Sequence, residues 1–203
     1  MIEHLTGDPL TRLLVNRTRL ASTAGPALAR AHRGVGRALA QVVARHLSLE
    51  DYEIQHVTGT QRGVRVTPGA EPVFMALMRG GLFVAEGLWE CFPDSALVPW
   101  KADGDNIPHL PTDNRPVVIV DSVIDTGETL RPVLRGVLRI HPMPTMVATL
   151  VAYRPTALAL EREFPSVTFA IARLSDHQYK GRGPTDTGGR LFGTTTWPSE
   201  RKE

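Results

Sequence analysis

The chain is poor in the features that would assign it at a glance. Its 203 residues hold one cysteine, Cys91, so no internal disulfide can form, and that side chain reads as a small buried apolar group. No run of about 18 apolar residues occurs, which leaves nothing to cross a membrane as a helix. Glu3, Asp8 and Arg12 interrupt the first stretch, so a secretory leader is not expected there. The formal charge of +2 is too small to argue for a nucleic-acid partner, while a pI near 9.0 suits anionic small ligands. There is no internal repeat, no low-complexity tract and no zinc-like His/Cys spacing. Two phosphate-binding signatures are also missing: G-x-x-x-x-G-K-[ST], and G-x-G-x-x-G after a strand. A single soluble, cytoplasmic domain is the expectation.

What is present centres on Val117 to Leu130, V-V-I-V-D-S-V-I-D-T-G-E-T-L. Val117 to Val120 read as a short buried strand with Asp121 at its end. Asp125-Thr126-Gly127-Glu128-Thr129 reads as a turn, and Leu130 opens a helical pattern. A strand, a Gly/Thr turn and a helix start gather backbone N–H groups, hydroxyls and the helix dipole around one point, which suits a phosphate. A carboxylate just before it can hold sugar hydroxyls or hydrated Mg²⁺. An ordinary strand-to-helix turn would share some of these residues.

The rest of the chain supplies a frame. Residues 1–23 read as a short helix or arm, and Ala27 to Leu47 as an amphipathic helix whose arginines form a solvated face. Residues 53–67 alternate loosely around glycines, suggesting a hairpin arm. Val73 to Met78 is a second buried strand, followed by Arg79-Gly80-Gly81 and a helix from Leu82 to Cys91. The paired glycines let backbone approach a ligand, and Arg79 offers a fork of donors for phosphate oxygens. Ser95 to Lys101 is a third strand, and residues 102–116 form a polar loop long enough to act as a lid. Thr129 to Ile140, Thr145 to Ala152, Ala157 to Phe164 and Val167 to Ala172 read as helix, strand, helix and strand. Strands alternating with helices predict an α/β fold, an open and mostly parallel twisted sheet with flanking helices. Ligands then lie at the carboxyl ends of the strands, where Arg79, Lys101 and Asp121 all fall. The divisions are 1–70 for the N-terminal helix and arm, 71–172 for the core, and 173–203 for a C-terminal cap and tail.

Two stretches carry a resemblance. Residues 117–130 resemble the phosphoribosyl-diphosphate (PRPP) signature of type I phosphoribosyltransferases, in which apolar residues precede one or two acidic residues, two apolar residues and a T-G-x-T loop. Residues 179–193 resemble the base-binding hood of uracil phosphoribosyltransferases, approximately Y-I-V-P-G-L-G-D-A-G-D-R-L-F-G. Tyr179, Gly183, Asp186, Gly188, Arg190, Phe192 and Gly193 match it. Met78 to Gly81 is similar to that family's L-R-A-G turn, Trp100-Lys101 stands at its Tyr-Arg, and a single acidic Asp121 is that family's form of the PRPP signature. The departures fall in two places. Arg182, Thr185 and Gly189 replace Pro, Gly and Asp in the hood. Asp125 and Glu128 replace Ala and Gly in the phosphate loop, where I-D-T-G-E-T resembles purine-type enzymes.

The resemblance implies transfer of 5-phosphoribosyl from Mg²⁺–PRPP to a ring nitrogen, or a carbon, of a uracil-like or modified base, with release of pyrophosphate. It implies PRPP contacts from Arg79, Lys101, Asp121, Asp125, Thr126, Gly127, Glu128 and Thr129, with Asp121, Asp125 and Arg79 in catalysis. Base contacts would come from Tyr179, Lys180, Gly181, Arg182, Gly183, Thr185 and Asp186, with Asp186 also near Mg²⁺, which is held mostly through PRPP oxygens and water. Glu128 should point outward, Lys101 cannot fork onto two oxygens as Arg would, and a homodimer is implied. A PRPP- or nucleotide-binding regulator without useful turnover, or a non-catalytic subunit, are the alternatives, separated from an enzyme by pyrophosphate release.

Overall fold

The computed structural model describes residues 1–102, 106–111, 115–141, 144–179 and 181–195. Its centre is a six-stranded sheet in the order β1-β8-β7-β6-β4-β5, with every pairing parallel. The strands are β1 (Ile2–His4), β4 (Val73–Leu77), β5 (Ala96–Trp100), β6 (Val117–Ile124), β7 (Thr145–Tyr153) and β8 (Thr168–Ser175). A separate antiparallel hairpin joins β2 (Leu49–His56) to β3 (Gly59–Val66), in register from Leu49↔Val66 to His56↔Gly59.

The period-2 alternation of side chains across a strand divides the core into two layers. Phe74, Ala76, Val118, Val120, Ala148 and Ala170 face one side. They meet Val35, Leu39, Val42 and Val43 of α2 (Gly25–Ala44), and Val84 and Leu88 of α3 (Leu82–Trp89). Met75, Ile119, Val147, Phe169 and Ile171 face the other side. There they meet Val133, Leu134 and Val137 of α4 (Leu130–Ile140), and Ala157 and Leu160 of α5 (Arg154–Glu163). A sheet covered on both faces needs continuous apolar strands rather than half-polar ones, and Val73–Leu77 is buried at every position. Among the described residues no helix is long and apolar enough to cross a membrane.

Four expectations are corrected. Residues 1–23 contain a strand as well as a helix: β1 pairs with β8 (Ile2↔Phe169), and α1 (Pro9–Arg19) follows, its first turn capped by the Asp8 carboxylate accepting from Thr11 N at 2.7 Å. Three strand residues are too few to show a period. The central strand does not end at Asp121. Val123 and Ile124 are apolar and branched, and they stay paired with Val151 and Ala152 of β7. Cys91 is exposed rather than buried, because α3 has ended at Trp89 and the chain turns toward solvent. The arginines of α2 are not merely solvated: Arg33 and Arg37 reach Glu86 and Glu90 beside α3 at 2.6 and 2.5 Å. The expected lid falls partly on 103–105 and 112–114, outside the described residues.

Candidate functional site

The chain leaves β4 through α3 on one face of the sheet and leaves β6 through α4 on the other. The carboxyl ends of β4 and β6 therefore open a crevice, the usual ligand position in an open parallel sheet. Two turns meet there. After β4, Met78 to Gly81 lies directly on β6, and the Met78–Arg79 peptide is cis. A Cβ on Gly80 would stand 2.5 Å from Ser122 Oγ and 3.4 Å from Asp121 Oδ1, and one on Gly81 would stand 2.2 Å from the Val120 carbonyl oxygen. The paired glycines are thus needed for close approach.

Asp121 sits where β4 has turned away: the β4–β6 register ends at Ala76↔Val120, while Asp121↔Thr149 continues with β7. Its Oδ1 accepts from Ser122 N at 2.7 Å. Burial raises its pKa to about 7, against the lowering effect of the Ser122 and Val123 amides. Such a carboxyl gains from a bound group that favours its charged form.

The second turn follows β6. Gly127 has φ +76°, a left-handed conformation that glycine takes without a Cβ penalty. Thr126, Glu128 and Thr129 are exposed, so Glu128 stands in solvent as expected. Arg131 secures the turn from its carbonyl side, donating from Nη1 to Thr126 O and from Nε to Glu163 Oε2, each at 2.8 Å. The turn's amides precede the first turn of α4, whose backbone N–H groups add to an anion cradle.

The C-terminal cap is ordered, as a 3₁₀ turn (Gly183–Thr185) and α6 (Thr187–Leu191). Asp186 caps α6, accepting from Gly189 N at 2.6 Å, and it receives Arg79 Nη2 at 3.1 Å. Asp125 accepts from Tyr179 N at 3.3 Å and from Gln178 Nε2 at 3.4 Å. The Tyr179 hydroxyl donates to Thr185 O and lies 2.9 Å from Thr187 Oγ1. Both crevice turns are therefore tied to the cap, one through Arg79 and one through Asp125. Gly181, Arg182 and Gly183 are exposed on its outer part; Lys180 lies outside the described residues. Lys101 follows β5, one strand beyond β4, and is exposed.

Sequence reasoning missed a second set of residues. Three neighbouring cavities, of about 220, 250 and 190 Å³, lie at the ends of β6, β7 and β8 beneath α1, and all are lined by Arg19 and Arg173. The largest is also lined by Ser122, Val123, Tyr179 and Arg190. Arg190 spans from the cap to the α1–α2 turn, donating to Leu20 O at 2.8 Å and Thr23 O at 2.7 Å. His32, also on that wall, donates from Nδ1 to Leu28 O at 2.9 Å in its neutral form. Burial, aided by Arg190, lowers its pKa to about 4. One signal was readable: an arginine directly after the apolar run Phe169–Ala172 sits at a strand's carboxyl end, where ligands bind.

No group of three His, Cys, Asp or Glu side chains among the described residues could hold a metal ion. That donor set does not make a protein cage. Asp121 and Asp186 are single hard oxygen donors at the crevice and the cap, the kind that Mg²⁺ takes one or two at a time.

Comparison with known proteins gives the family and the fold. The family model described as uracil phosphoribosyltransferase matches residues 5–194. The uracil phosphoribosyltransferase of Aquifex aeolicus is 25% identical over 202 residues, covering 93% of this chain and 97% of that protein. The enzyme of that name from Legionella pneumophila (strain Lens) is 28% identical over 170 residues, covering 77% and 79%. The solved structure of the AQ2163 protein from Aquifex aeolicus shares the fold, with a TM-score of 0.78 at 24% identity over 97% of this chain and all of that one.

Proposed function

Because the chain belongs to the uracil phosphoribosyltransferase family, and so transfers 5-phosphoribosyl from PRPP to a heterocyclic base, we propose that the crevice between β4 and β6 is where it does so. The observation that carries this is the seating of Gly80 against Asp121 and Ser122, which sets the arginine turn beside the carboxylate of the strand that leads into the phosphate turn. The amides of residues 126–129, with the Thr126 and Thr129 hydroxyls, hold the 5′-phosphate. Asp121 holds the ribose hydroxyls. Arg79 and Lys101 hold the pyrophosphate.

The bond from ribose C1′ to the pyrophosphate oxygen breaks, and a bond from C1′ to the base nitrogen forms. Catalysis rests on positioning and on neutralising the leaving group as its charge develops. Mg²⁺, carried by pyrophosphate oxygens and water with Asp186 close by, would add positive charge there. Arg79 is held ready by Asp186, and the cap closes over the strand ends to exclude water. Asp125, facing the start of the cap, takes the proton that the base nitrogen loses. Tyr179 shapes the cap through Thr185 and Thr187, and Gly181 to Gly183, with Arg182 among them, line the outer side of the base. The β2–β3 arm, with Leu49, Val57 and Val64 exposed, is the element assigned to a second copy in a cytoplasmic homodimer.

The test is pyrophosphate release from Mg²⁺–PRPP with a panel of uracil, purines and acidic or amidated heterocycles. Base-dependent release that Asp121→Asn abolishes supports the assignment. Release that Asp121→Asn leaves unchanged refutes it.

A further inference from the structure

The three cavities under α1 have an unbalanced charge. Arg19 and Arg173 line all of them, Arg12 adds to one and Arg190 to another, and no aspartate or glutamate lines any of the three. Elsewhere this fold compensates its partly buried arginines. Arg33, Arg131 and Arg154 meet carboxylates and Arg115 meets backbone carbonyls, as Arg190 also does from the cavity wall. Arg173 meets neither among the described residues. Its Nε is buried without a hydrogen-bond partner, and so is that of Arg190. Burial and the neighbouring Arg19 both push the Arg173 guanidinium pKa below its ordinary value. A buried donor left unmade is costly, and a guanidinium more so. An anion supplied from outside resolves both the orphaned donors and the repulsion.

The position says what carries that anion. The PRPP phosphates are assigned to the turn after β6 and to Arg79. The cavities lie along β6 from Asp121, where Ser122, Val123, Leu150, Val151 and Tyr179 make a largely apolar wall fit for a ring. The planar fork of a guanidinium matches a planar carboxylate. Resting on the transferase reading above, we propose that the acceptor is an acidic heterocycle, a ring bearing a carboxylate, and that Arg173 and Arg19 are the specificity residues that receive that group.

The experiment is titration calorimetry on the whole chain without PRPP, using uracil, the same ring with a carboxylate (orotate), carboxylated five-membered heterocycles and inorganic phosphate. It is repeated with Arg173→Met and with Arg19→Met, the latter at an exposed site that leaves the fold untouched. The expected result is that at least one carboxylated heterocycle binds about 10- to 100-fold more tightly than its uncharged parent. Each substitution should erase that preference while leaving PRPP affinity unchanged, and Arg173→Lys should restore part of it. Uracil binding as well as every acid, or acids insensitive to both substitutions, would overturn the proposal. So would inorganic phosphate matching the acids with the same arginine dependence, since that describes an effector site. Failure of PRPP to bind a chain that takes the acid would break the transferase assignment and overturn the acceptor role with it, leaving only a carboxylate site at Arg173 and Arg19.

Discussion

The crevice between β4 and β6 and the cavities beneath α1 share strand β6 and differ in almost everything else. The crevice is built from backbone. Glycines admit it, a turn before α4 borders it, and two of its arginines are already engaged, Arg79 by Asp186 and Arg131 by Glu163. The cavities are built from long cationic side chains with no carboxylate among the described residues that line them. A site made of backbone amides accommodates a group common to many related enzymes, the phosphate of the sugar. A site made of side chains can be rewritten one residue at a time, which is where the choice of acceptor can change without disturbing the rest.

The largest effect should come from the crevice. Asp121→Asn keeps the shape of the side chain and removes its charge, and should lower kcat/KM for transfer about a hundred- to a thousandfold, ~3–4 kcal/mol, with an unchanged circular dichroism spectrum. Equal loss of activity and fold would instead make Asp121 part of the scaffold. The next effect belongs to the cavities and is read as stability against pH. His32 has a pKa of about 4 in the fold and an ordinary value of 6.5 when unfolded. The unfolded chain therefore binds the extra proton first as pH falls. Stability is full above about 6.5 and declines progressively down to about 4, by on the order of 3 kcal/mol in all. Thermal melts across that window should show the decline for the wild type, and His32→Gln should flatten it.

Third, Gly81→Ala places a methyl 2.2 Å from the Val120 carbonyl, so the turn must lift off β6. A loss of about 2 kcal/mol is expected, with a raised KM for PRPP, and denaturant melts with PRPP kinetics will measure both. The smallest is Arg131→Gln, which frees the Thr126 carbonyl and loosens the phosphate turn. It should raise KM for PRPP about tenfold, ~1.4 kcal/mol, while binding of an acidic heterocycle stays the same. If both ligands weaken together, the two regions are one cooperative site and the contrast between them fails.

The same contrast explains what could be read from the sequence. The parallel sheet, the arm and both crevice turns were legible because each lies in one contiguous stretch whose apolar pattern, glycines and acid stand at fixed offsets. Asp121, Asp125 and Arg79 stand at such offsets, and the structure places Asp121 within β6 and the other two at the turns after β6 and β4. The extension of β6 past Asp121 was not, since an acid inside an apolar run reads as a terminus until β7 is seen pairing beyond it. The strand at Ile2–His4 was too short for any period, and it forms only because β8 offers an open edge. Arg19, Arg173 and Arg190 were invisible as a group, being scattered over the chain and joined only by the order of the strands. Arg190 was noted as part of a motif, but its hold on Leu20 and Thr23 depends on where α1 ends.

That hold carries a consequence for how the molecule is assembled. Arg19 comes from the first helix and Arg173 from β8, so the acceptor cavity has no existence in any fragment of the sheet. It appears when β1 docks beside β8 and Arg190 fastens the cap to the α1–α2 turn. Any ligand that bridges the two arginines therefore acts by mass action on the whole folding equilibrium. It works as a reversible cross-link between the earliest and the latest parts of the structure, and saturating it should raise the melting temperature of the entire domain rather than of one loop.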